Sequence, residues 1–185
     1  MAILTLAEAK AQLDIDTTAQ DTELQAYVDS VTAVIERYVG PVENRTVTET
    51  VDGRGQLLAV TQVPAVSLTS LTPILTGGLA LAVGDLHLDG AAGVIRRLDG
   101  GNFYGGPWTA VYVAGRGTGP TPPTINLAGR ILIQHLWRTQ YGAARGTSGG
   151  GDDYAVTEPV AGWGYAVPNR VLQLLEAYKV PPGVA

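Results

Sequence analysis

The sequence predicts an α+β fold, a small α-helical bundle supplied by both chain ends with an antiparallel β module inserted between them. Two observations carry this. Apolar residues recur at helical spacing before Arg45 and again after Pro123, whereas between Arg45 and Gly117 the period changes to two, with turn-forming residues between short runs. A third is economy of core: neither helical pair alone can bury its own stripes, so the two ends are expected to pack as one unit. The expected divisions are 1–45, an N-terminal helical pair; 46–117, the β insertion; and 118–185, C-terminal helices with a long Gly-rich loop at 142–164.

Thr5 stands three residues before Glu8, the capping-box spacing, and starts a short helix that reaches about Leu13. Leu24, Tyr27, Val28, Val31, Ile35 and Tyr38 then recur on one face of a second helix, which "GP" at 40–41 ends. Asp16, Thr17 or Thr18 can cap this helix, and Asp21 and Glu23 complement its positive end. The junction "LDIDTTAQDT" superficially resembles a calcium loop. Counted from Asp14, however, the turn glycine is replaced by Ala19 and the bidentate glutamate by Gln25, so a helix junction is the better reading.

Beyond Arg45, "TVTETV" alternates, "DGRG" turns the chain and "QLLAV" is a second strand-like run. "VSLTSL", "LHLD", "GVIRRL" and "WTAVYVAG" follow, which suits a small antiparallel sandwich or barrel. After "GRGTGPTPP", Ala128, Ile131, Leu132 and His135, with Leu136 beside them, predict a helix from about Thr124 to Tyr141. The segment 142–164 has no apolar period and is longer than compact domains usually leave without structure, so an assembly role is expected of it. Pro168 sits where a first helical residue belongs, with Val171, Leu174, Leu175 and Tyr178 behind it.

Composition narrows the function. The chain has 185 residues, 45% hydrophobic, and no cysteine, which removes disulfide and thiolate chemistry. No apolar run approaches a membrane span and no export signal is evident, so a soluble, unexported chain is expected. The net charge of −5 opposes tight non-specific DNA binding. That charge is unevenly placed: residues 1–45 hold eight acidic and three basic side chains, while residues 91–145 hold six arginines against Asp99 alone. Such a division could supply two complementary faces.

Enzyme patterns are incomplete. "AGRGTGP" keeps Gly115 and Gly117 of a dinucleotide fingerprint but has Pro120 in place of the last glycine, and no parallel strand follows. His87 and His135 lack partners at metal-ligand spacing. Asp85 with Asp89, or Asp152 with Asp153, could serve glycoside hydrolysis only if folding set their separation correctly. No catalytic residue, metal ligand or cofactor is therefore assigned. The alternatives are a β module that binds a carbohydrate or protein ligand, and a carboxylate-dependent hydrolase.

The chain ends carry a family resemblance. "LTLAEAKAQLDID" and "DTELQAYVDSVTAVIERYVG" resemble the N-terminus of the head-tail connector (adaptor) proteins of tailed phages, through Leu4, Leu6, Glu8, Lys10, Leu13, Ile15, Asp21, Leu24, Tyr27, Ile35, Glu36, Tyr38 and Gly40. "VPNRVLQLLEAYKVPPG" is similar to the C-terminal helix and tail of the longer members, through Pro168, Val171, Leu174, Leu175 and Tyr178. The order of the middle segments matches too, and Asp14 departs from a position where many members are basic. The resemblance implies a structural virion protein of the neck, present in the host cytoplasm during assembly. It implies a ring of copies beneath the portal protein ring, a next neck or tail protein bound to it, DNA passing through the lumen without specific binding, and no membrane partner. Combined with the charge division, it points to Glu23, Asp29, Arg130 and Arg138 at the subunit interface and to Arg170, Leu174, Tyr178 and Lys179 at the portal.

Overall fold

The computed structural model describes residues 3–53, 55–78, 80–141 and 167–180. These form two compact units, one of Ile3–Ile35 with Pro122–Ala177, the other of Glu36–Thr121 joined by the chain from Tyr178. Helices lie at both chain ends and two small antiparallel sheets lie between them, the expected α+β class.

In the helical unit, α1 (Leu6–Leu13) opens with the anticipated capping box: the Glu8 N–H donates to Thr5 Oγ1 at 3.2 Å and the Thr5 N–H donates to Glu8 Oε2 at 2.9 Å. Asp14 ends it in the left-handed conformation (φ 55°), its N–H donating to the Lys10 carbonyl. The second helix, α2 (Asp21–Val39), starts later than capping by Asp16, Thr17 or Thr18 would place it. Thr18 contributes its carbonyl instead, accepting the Asp21 N–H at 3.2 Å, while the Asp21 carboxylate accepts from Lys10 Nζ at 2.7 Å. Leu24, Val28, Val31 and Ile35 are buried, the stripe that the spacing predicts.

α3 (Pro123–Tyr141) buries Ile125, Ala128, Leu132, Ile133 and Leu136. Its buried face is turned from the expected one: Ile131 is half-buried and His135 exposed. Gly129 explains the phase. A Cβ there would lie 3.2 Å from Ile3 and 3.7 Å from Ile35, so the missing side chain lets this face of the helix come close to both. Tyr27 and Trp137 meet edge to face at 5.6 Å. α4 (Asn169–Leu175) buries Val171 and Leu175; a 3-10 turn, Glu176–Tyr178, follows it.

The other unit holds β1 (Arg45–Val51), β2 (Leu57–Ala59), β3 (Ala65–Pro73), β4 (Leu86–Asp89), β5 (Val94–Arg97) and β6 (Trp108–Ala114). β1-β6-β3 form one antiparallel sheet and β2-β5-β4 the other. Along β6, Trp108, Ala110, Tyr112 and Ala114 are buried while the residues between them are half-buried, so one face of this central strand supplies the core. Leu58, Leu71, Ile95 and Phe103 pack with them, Phe103 edge to face with Trp108. Tyr112 carries the polar contact of this core: its hydroxyl donates to Glu49 Oε1 at 3.1 Å and accepts the Gln62 N–H at 3.0 Å. Gly40 (φ 73°) closes α2, and no other residue fits, since a Cβ would lie 1.8 Å from the Val63 carbonyl oxygen.

Candidate functional site

The residues singled out for assembly fall into two groups. On α2, Asp29 is exposed and accepts from Gln25 Nε2 at 2.9 Å, and Glu23 is half-buried in the first turn. On α3, Arg138 is exposed in the last turn. Arg130 has partners within its own subunit: Nη2 donates to Glu8 Oε1 at 3.0 Å and Nε to Asn126 Oδ1 at 2.8 Å. Asn126 Nδ2 in turn donates to the Ile3 carbonyl and to Glu8, so one network ties α3 to the start of the chain. Glu8 titrates below its ordinary value, chiefly because the Thr5 N–H holds the carboxylate; the Thr5 hydroxyl, Arg130 and Asn126 add to this, and burial opposes it.

The second group lies at the C-terminal end. Arg170 is exposed at the start of α4, Leu174 is half-buried and Lys179 is exposed. Asn169, Leu172, Gln173 and Glu176 line an open surface depression of about 500 Å³ on this helix. Tyr178 meets a residue that the sequence did not single out. Arg116 Nη2 donates to the Tyr178 carbonyl at 3.0 Å and to the Val39 carbonyl at 2.6 Å, with its guanidinium 5.2 Å from the centre of the Tyr178 ring. Burial pushes this arginine below its ordinary value, with Tyr178 opposing the shift. In the sequence it is one of the six arginines of residues 91–145, standing between Gly115 and Gly117 of the incomplete dinucleotide fingerprint.

Of the carboxylates of the hydrolase alternative, that of Asp89 has a local role. Asp89 Oδ1 accepts the Ala92 N–H at 3.1 Å in the β4–β5 turn, and Asp85, exposed, accepts the Leu98 N–H on its backbone carbonyl at 2.9 Å. His87 is exposed on β4. Asp152, Asp153, the segment 142–164 and the final "PPGVA" lie outside the described residues. Among the described residues, no group of three or more His, Cys, Asp or Glu side chains is placed to hold a metal ion, and no helix is long and apolar enough to cross a membrane.

No curated protein matches the chain. Solved structures do. A chain from the neck of an empty GTA particle, computed with C6 symmetry, is 21% identical with a TM-score of 0.63, covering 97% of this chain and 91% of that one. A chain from the neck of a native GTA particle, computed with C12 symmetry, is 18% identical with a TM-score of 0.59, covering 96% and 88%. At these identities the likeness is one of fold. The head completion protein family model matches residues 2–180, nearly the whole sequence, and the chain belongs to the head completion protein family.

Proposed function

We propose that this chain is a structural adaptor of the phage neck. Its copies form a ring beneath the portal, extend the DNA channel and offer a platform to the next neck or tail protein. The observation that carries this is the family match over residues 2–180. The likeness of fold to neck chains arranged with C6 and C12 symmetry supports it, because copies around one axis must meet through two different faces. The net charge of −5 suits a lumen through which DNA passes without sticking. On this reading the protein acts by binding and not by catalysis. Arg138 and Asp29 meet across the subunit interface, and the segment from Arg170 to Lys179 meets the portal.

The test is to mix the purified chain with portal rings of the same phage and examine the mixture by electron microscopy. The expected result is an added ring on one end of the portal; portals that remain bare at micromolar protein overturn the reading. Submicromolar binding to duplex DNA at physiological salt would be incompatible with passage through the lumen.

A further inference from the structure

Arg116 lies in a turn that the backbone fixes on both sides. Gly115 (φ 144°) passes so close to Asn44 that a Cβ would lie 2.4 Å from its Oδ1. The same Oδ1 accepts the Gly117 N–H at 3.0 Å. The arginine thus springs from a rigid base.

What it holds is specific. Val39 is the last residue of α2 and Tyr178 the last of the 3-10 turn, so both carbonyls are helix-end acceptors that no further turn satisfies, at the negative ends of their elements. One guanidinium nitrogen serves both, and the cation lies over the Tyr178 ring. Beside it the Val180 N–H donates to the Tyr38 carbonyl at 3.1 Å. The cost is visible as well: Arg116 Nε is buried without a hydrogen-bond partner. Among the described residues no carboxylate pairs with this half-buried arginine; it holds the point from which Lys179 and Val180 depart.

We propose that Arg116 is a positioning residue for the C-terminal docking segment. By holding Tyr178 against the end of α2 it fixes where Lys179 and Val180 leave the subunit, so the segment reaches the portal already ordered. This rests on the reading that the segment meets the portal, and it names a residue, remote in sequence from that segment, which sets the affinity.

The chain contains no cysteine, so Val180→Cys gives a single site for a nitroxide label. In the otherwise unchanged protein the label should be immobilised. Adding Arg116→Met should free it and weaken portal binding about tenfold or more, since two or three residues must then be ordered on binding. Tyr178→Ala, which leaves the arginine in place, should also free the label, while Tyr178→Phe, which keeps the ring, should leave it immobilised; for these two variants the label alone is the readout, since Tyr178 belongs to the docking segment itself. An immobile label in both Arg116→Met and Tyr178→Ala overturns the proposal, as does a freed label with unchanged portal binding. If the parent itself fails to bind portals, the adaptor reading falls, and the label still reports whether Arg116 orders the segment.

Discussion

Arg130 Nη2 lies 3.0 Å from Glu8 Oε1, joining α3 to the first turn of α1. Each side chain is about a third exposed, so the pair is neither a loose surface contact nor a fully buried one. It also gives part of the opposed charge of residues 1–45 and 91–145 a partner inside one subunit. Arg130→Glu should therefore destabilise the isolated subunit by about 1–2 kcal/mol, between the exposed and buried extremes, with two carboxylates then facing each other. Arg138→Glu, at an exposed position, should stay within about 0.5 kcal/mol of the parent. Denaturant unfolding of the two variants checks the contrast.

The same network predicts an acid dependence. The Glu8 carboxyl titrates below its ordinary value of 4.5 when folded, so the unfolded chain takes up this proton first. Its contribution is complete above that value and is lost as pH falls through the lowered one. Melting temperatures of the parent and Glu8→Gln should differ most at neutral pH and converge as the pH falls below 4.5 and through the lowered value. A constant difference from pH 7 to pH 3 would count against this.

Tyr112 should produce the opposite dependence. Burial and the nearby Glu49 carboxylate push its hydroxyl up to about 12, against the favourable Gln62 N–H. A raised value favours the neutral form, so this contribution is present below the ordinary value of 10.0 and is lost as pH rises through about 12. Tyr112→Phe removes the donor to Glu49 and the acceptor of the Gln62 N–H, and should cost about 1–3 kcal/mol at neutral pH. The alkaline loss of stability should be smaller in that variant, measured by urea unfolding at pH 8 and pH 11.

What could be read from the sequence was local. The Thr5–Glu8 box and the Leu24, Val28, Val31, Ile35 stripe depend on contacts within a few turns, and both are present. The α3 face was harder, because the spacing of apolar residues alone gives Gly129 no weight, although its missing side chain allows the close approach of Ile3 and Ile35 that turns His135 outward. Contacts such as Arg116 with Tyr178, or Glu8 with Arg130, join residues far apart in sequence and leave no periodic trace. Assembly residues are harder still, since their partners belong to other copies or other proteins.

Calcium should leave the melting temperature unchanged. Asp14 ends α1 in the left-handed conformation through its backbone, and the Asp21 carboxylate pairs with Lys10, so the apparent loop serves to join α1 to α2. Ala19 and Gln25 stand where the loop needs its glycine and its bidentate ligand. A rise of several degrees in millimolar calcium would show binding to the folded state and overturn this account.

Ring assembly should respond to Arg138 and Asp29 more cleanly than to Arg130 and Glu23. Arg138 and Asp29 are exposed on α3 and α2, so reversing either leaves the subunit intact, whereas reversing Arg130 also breaks its bond to Glu8 and Glu23 is half-buried. If the acidic face of one copy meets the arginine-bearing face of the next, Arg138→Glu should reduce rings on portals at low salt. Asp29→Lys in the same chain should restore them, because every interface in the ring then carries the swapped pair. Exposed pairs contribute only about 0–1 kcal/mol each, so the single reversal should weaken rings without abolishing them. The gap between variant and parent should narrow as salt rises. Counting rings on portals by electron microscopy at two salt concentrations gives both readouts. Undiminished rings after the first change, or no recovery after the second, would leave these charges as solvated surface and assign ring closure to apolar contacts.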